Sequence, residues 1–85
     1  MKVKNFLTNP NKWMKGEFHN QCGRYCLVGA INKCYGNNYK KHGEIMSKVR
    51  SYLVNNNLSF SIVAFNDNKH TKFKDIKKLI NKLDI

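Results

Sequence analysis

Residues 25–36 read "YCLVGAINKCYG", and the period of this stretch decides the fold. Cys26, Ala30 and Cys34 lie four apart with Leu27 and Ile31 beside them. That spacing lays one apolar stripe along a helix running from Arg24 to Tyr35. Gly36 is a natural stop.

Outward from this helix, "GNNYKKHG" at 36–43 reads as a polar turn. A second helix follows from about Glu44 to Val54, with Ile45, Val49, Tyr52 and Leu53 on one face, and "NNN" at 55–57 ends it. The next run, "LSFSIVAF" at 58–65, alternates Leu58, Phe60, Ile62 and Ala64 with a strand-like period. One strand cannot satisfy its own backbone and no partner strand is visible. An extended crossing segment is therefore expected, with a strand paired across a dimer as the alternative. The cleanest helical period belongs to Lys72–Leu83, through Phe73, Ile76, Leu79, Ile80 and Leu83. Thr71 is its expected N-cap, with Asp75 in the first turn facing the positive end of the dipole. Toward the N-terminus, Val3, Phe6 and Leu7 form a short lead-in that breaks at Pro10, and a helical turn carrying Trp13 ends near Gly16. The expected fold is mainly α: one small domain of three to four helices, with an extended segment before the C-terminal helix.

Eighty-five residues make one domain with a thin core, since a chain of this size buries about 60–65% of its unfolded surface. Self-association is a common way to enlarge so small a core, and a homo-oligomer is expected. The formal charge of +11 favours anionic partners, whether nucleotides, nucleic acid or an acidic protein. A compositional origin competes with this, because the basic residues are almost all lysine and asparagine is abundant, as an AT-rich genome produces. The start "MKVKNFLTNP" has no apolar run or cleavage site of a signal peptide, and no segment approaches the ~20 apolar residues of a membrane helix. With an odd cysteine count, the expectation is reduced thiols in a cytoplasmic protein with no membrane partner.

Three segments carry a family resemblance: "WMKGEF" at 13–18, "YCLVGAI" at 25–31 and "FNDNKHTKFKDI" at 65–76. Their order and spacing resemble those of an uncharacterised family of small bacterial and phage domains. That family's pattern is Trp-x-x-Gly, then Cys-Leu-x-Gly-Ala, then Trp/Phe-Asn-Asp, and Thr-x-Phe-x-Asp-Val opening the last helix. The resemblance covers nearly the whole chain and implies architecture without an established activity. This chain departs from the pattern in its short loop between Gly16 and Tyr25, in Phe65 where Trp is commoner, and in its high basic content.

Cys26 has three readings. As a small hydrophobe it belongs to the core. As a thiolate activated near a helix N-terminus it would need His70 or His42, with Asp67 or Asn66 to orient the base. As a metal ligand it would join His19 and Cys22 at i, i+3 and i+7, although the paired Cys-x-x-Cys spacing of zinc sites is absent. No metal and no cofactor are expected. The "NDNKHT" loop at 66–71 has a structural reading as a turn and cap, in which Asn66 and Asp67 bond neighbouring backbone. Its functional reading places Lys69, His70 and Thr71 at a helix N-terminus that favours an anion. Lys15 and Arg24 would converge there and Trp13 would offer a stacking face. The expected ligand site is therefore Trp13, Lys15, Arg24, Asn66, Asp67, Lys69, His70 and Thr71. The expected function is non-enzymatic binding of a nucleotide-type anion, in the manner of a phage-encoded anti-defence accessory protein. Nucleic-acid binding is the alternative, and a hydrolase or transferase using Cys26, His70 and Asp67 the second.

Overall fold

Helices are started and stopped here by small polar side chains more than by their own length. A computed structural model describes all residues 1–85. The order is α1 (Val3–Phe6), a 3-10 turn (Pro10–Lys12), α2 (Leu27–Tyr35), α3 (Tyr39–Asn55), α4 (Ile62–Asp67) and α5 (Phe73–Leu83). The domain is mainly α and has no strands. Its shortest dimension is 19 Å, about two helix diameters, so nothing lies far from solvent. Sixteen apolar side chains form one core, drawn from every helix. Helix α2 packs on α1, α3 and α4, and α5 closes the domain against α1 and α3.

The helix expected from Arg24 begins at Leu27 instead. Cys26 is its N-cap, with Sγ accepting from the Gly29 N–H at 3.3 Å. Helix α3 begins five residues earlier than the apolar period indicates, because the Asn38 side chain accepts from the Lys41 N–H at 3.1 Å. The N-cap of α5 is Lys72 and not Thr71; Asp75 reaches back to the Lys72 N–H at 2.9 Å, while Thr71 is buried.

The extended segment expected over 58–65 is corrected over its second half. Residues 62–67 form α4, capped by Ser61, whose Oγ accepts from the Ala64 N–H at 3.2 Å. The buried positions are Ile62, Phe65 and Asn66, at i, i+3 and i+4. Asn66 is polar, and that concealed the helical period behind an alternation of apolar residues.

Between Met14 and Cys26 the chain is irregular and is held by Tyr25. The Tyr25 N–H donates to Lys12 O at 2.8 Å and the Met14 N–H to Tyr25 O at 3.2 Å. On the other side, the Cys26 N–H donates to Phe18 O at 3.0 Å and the Asn20 N–H to Arg24 O at 3.0 Å. This loop crosses α2 directly over Gly29, where a Cβ would stand 1.9 Å from Phe18 O. Only glycine permits that approach. At the far end of the domain Ile85 O accepts from the Val3 N–H and the Tyr35 hydroxyl, and Lys2 and Lys4 both pair with Asp84.

Candidate functional site

Asn66 is fully buried at the end of α4 and joins the three family-like segments. Its Oδ1 accepts from the Trp13 indole N–H at 2.7 Å and from the Leu27 N–H at 2.9 Å. Its Nδ2 donates to Met14 O at 3.0 Å and to Asp67 Oδ1 at 3.0 Å. A carboxamide offers two lone pairs and two protons, so every polar valence of Asn66 is used inside the protein. Asp67 Oδ1 also accepts from the Gly16 N–H at 3.0 Å. The Lys15 ammonium donates to Asn68 O at 2.6 Å and lies 5.6 Å from the centre of the Trp13 ring.

Trp13, Lys15, Asn66 and Asp67 therefore do come together, but their polar atoms are largely spent on one another. The Trp13 ring is half-buried and leans on Phe73 at 6.2 Å between centroids. Arg24 stands apart in the exposed turn at 20–24, where its N–H donates to Asn20 Oδ1 at 3.0 Å. Lys69 and His70 are exposed just after Asn68, and the His70 N–H closes a turn on Asn68 Oδ1 at 2.8 Å.

The open space lies one step further along this loop. A cleft of about 350 Å³ runs between the end of α3 and the start of α5. Tyr52, Leu58 and Phe65 form its apolar wall, and Asn68, His70, Thr71, Asp75 and Lys78 its polar one. His70 and Thr71 are the two residues it shares with the site read from the sequence. Tyr52, Leu58, Phe65, Asn68, Asp75 and Lys78 lie outside that site. They come from three helices and the loops between them, and no local pattern signals such a meeting.

A second hollow, of about 330 Å³, is lined by Gly16, Glu17, Phe18, Cys26, Val63 and Asp67. Cys26 reaches its floor while only 4% exposed. Burial pushes the Cys26 thiol up, and the Asp67 carboxylate adds to this against the opposing Gly29 N–H. No imidazole lines this hollow. His70 belongs to the other cleft, and His42 is held by Asn32 Oδ1 at 2.6 Å. His70 thus does not line the hollow that Cys26 and Asp67 share. Nor do His19, Cys22 and Cys26 share a helix face, because residues 14–26 are not helical: Cys22 is exposed while Cys26 is buried.

The motif spacing and the Asn66 network together describe one architecture, and a family match spans it. Residues 2–83 match DUF6197, a family of unknown function. The chain belongs to that family. No curated protein and no solved structure matches this chain. The buried carboxamide of Asn66 ties together the segments around Trp13, Leu27 and Asp67, all within the matched residues. No helix of the chain is long and apolar enough to cross a membrane.

Proposed function

We propose that this DUF6197 protein binds a small nucleotide-type anion in the cleft between α3 and α5, without chemical turnover. One observation carries the proposal: an apolar wall of Tyr52, Leu58 and Phe65 lines a cleft of about 350 Å³ together with His70 and Lys78. Small-ligand clefts run from about 300 to 1,000 Å³, and this one lies at the small end of that range with three apolar and five polar lining residues. The wall suits the face of a base. Lys78 and the adjoining Lys69 and His70 suit its phosphate. Asn68 and Asp75 suit the polar edge of the base. The charge balance agrees, since only Lys2 and Lys4 of the sixteen basic residues form ion pairs. Such binding suits a phage-encoded accessory protein that withdraws a nucleotide from its host's cytoplasm.

Calorimetric titration with mono- and dinucleotides tests this. Lys78→Ala is expected to weaken binding by about 1–2 kcal/mol, the worth of a lost charge-assisted hydrogen bond, while Arg24→Ala leaves it unchanged. Unaltered affinity in Lys78→Ala would overturn the assignment.

Nucleic-acid binding has one specific observation in its favour. Helix α5 exposes Lys74, Lys78 and Lys82 at four-residue intervals, with Lys77 beside them. Like charges at that spacing repel unless a partner neutralises them. Salt separates the two ligands, because a polymer releases many counterions and loses affinity steeply with ionic strength, whereas a small ligand responds weakly.

A further inference from the structure

Three polar side chains of the cleft between α3 and α5 keep hydrogen-bonding capacity that the fold leaves unspent. Thr71 is only 7% exposed, yet its hydroxyl has no partner in the protein. No sealed side-chain oxygen or nitrogen of the molecule lacks a partner, so Thr71 Oγ1 is not shut in; what exposure it keeps is to the cleft that it lines. An unpaired hydroxyl on so buried a residue is a donor and an acceptor held ready for a guest. Its two neighbours along the wall are pinned by backbone. Asn68 Oδ1 accepts from the His70 N–H at 2.8 Å, which orients the carboxamide and leaves both Nδ2 protons free. Asn68 O in turn accepts from the Thr71 N–H at 3.0 Å and from the Lys15 ammonium, so the loop itself is held. Asp75 Oδ2 accepts from the Lys72 N–H at 2.9 Å, while Oδ1 accepts nothing. Nor does Asp75 pair with a cation, although the chain has sixteen lysines and arginines and Lys78 lines the same cleft.

We infer that the cleft reads guanine: the Asp75 carboxylate accepts from the base's N1–H and 2-amino group, and Asn68 Nδ2 and the Thr71 hydroxyl donate to O6. This rests on the nucleotide reading of the cleft given above, and it names the base. A carboxylate repels phosphate, so Asp75 has to meet hydrogen donors at the other end of the guest. Guanine presents the acceptor O6 followed by two adjacent donors on one edge. Adenine and cytosine each place a bare ring nitrogen beside their amino group, and a carboxylate repels that lone pair. Uracil and thymine set a single N–H between two carbonyls. Two donors side by side next to an acceptor are therefore offered by guanine alone among the common bases. Because backbone contacts fix Asn68 and Asp75 before any guest arrives, little side-chain ordering is lost on binding.

Calorimetric titration of the full chain with guanosine, adenosine and xanthosine monophosphates tests it. The guanosine nucleotide is expected to bind about tenfold or more tightly than the adenosine one, the effect of one charge-assisted hydrogen bond. Asp75→Asn keeps an oxygen for the Lys72 N–H, and so keeps α5 capped, but turns an amide N–H toward the base. With unchanged helical circular dichroism, that variant is expected to lose the preference for guanosine and to favour the xanthosine nucleotide, whose 2-oxygen replaces the amino group. Thr71→Val keeps the branched shape at this buried position and removes only the hydroxyl; it is expected to weaken the guanosine nucleotide by about threefold to tenfold. Equal binding of the adenosine and guanosine nucleotides, or an Asp75→Asn variant that retains the parent's preference, would overturn the guanine inference and leave the nucleotide cleft standing. Failure of all three nucleotides to bind would overturn both.

Discussion

Asn66 is the residue on which the most structure depends. Replacing it by alanine removes the partners of the Trp13 indole, the Leu27 N–H and Met14 O at once. Leu27 is fully buried, so its amide has no water to turn to. Each stranded buried polar group costs about 1–3 kcal/mol, and Asn66→Ala is expected to lose about 3 kcal/mol in denaturant titration. A loss under 1 kcal/mol would show that water replaces the carboxamide. The sequence pointed to Asn66 and Asp67 as either cap or ligand, and to Trp13 as either core or platform. Their convergence was legible because three weak motifs fell in register. Their internal pairing was not, since one carboxamide reaching three segments leaves no local pattern. Cys26 is a second test at this scale. Thiol labelling of the native protein is expected to run fastest at exposed Cys22, slower at half-buried Cys34, and at Cys26 only on unfolding. Burial raises both Cys26 and Cys34 above the ordinary thiol range. Fast labelling of native Cys26 would contradict its place as a buried cap and core residue.

Among the elements, α4 shows where reading by pattern stops. Leu58, Phe60, Ile62 and Ala64 alternate, yet Phe60 and Ala64 are exposed and only Ile62 of the four is buried. The side chains that fix the helix are polar: Ser61 at its start and Asn66 on its inner face. With six residues α4 is too short to hold itself and depends on this cap and on packing. Ser61→Ala is expected to cost about 1 kcal/mol, and Ser61→Asp to cost little, since aspartate caps as well as serine. Equal losses in the two variants would place the role of Ser61 elsewhere. By contrast, α5 was read to within a residue, because Ile76, Leu79 and Ile80 are all buried and follow the helical period strictly.

At the scale of the whole molecule, the chain ends meet through Asp84. Hydrogen bonds from Lys4 and then Lys2 hold its carboxyl down to about 2, from 3.8. A depressed carboxyl contributes stability that is present above 3.8 and is lost as pH falls through about 2. Asn at this position tolerates the left-handed backbone found there, with φ near 54°. The melting temperature of Asp84→Asn is therefore expected to lie below the parent's at neutral pH, with the gap closing as pH falls from about 4 toward 2. A gap constant across that window would remove the ion pairs from the account. Fold class was legible at this scale because helical periods dominate the chain, whereas the cleft was not, since α3, α4 and α5 meet only after folding. Chemical-shift mapping of the isotope-labelled protein titrated with nucleotides tests the proposal that this cleft takes a nucleotide-type anion. Saturable shifts confined to Tyr52, Leu58, Phe65, His70, Thr71 and Lys78 are the expected result. Shifts absent from those residues, or spread along the lysines of α5 without saturation, would contradict it.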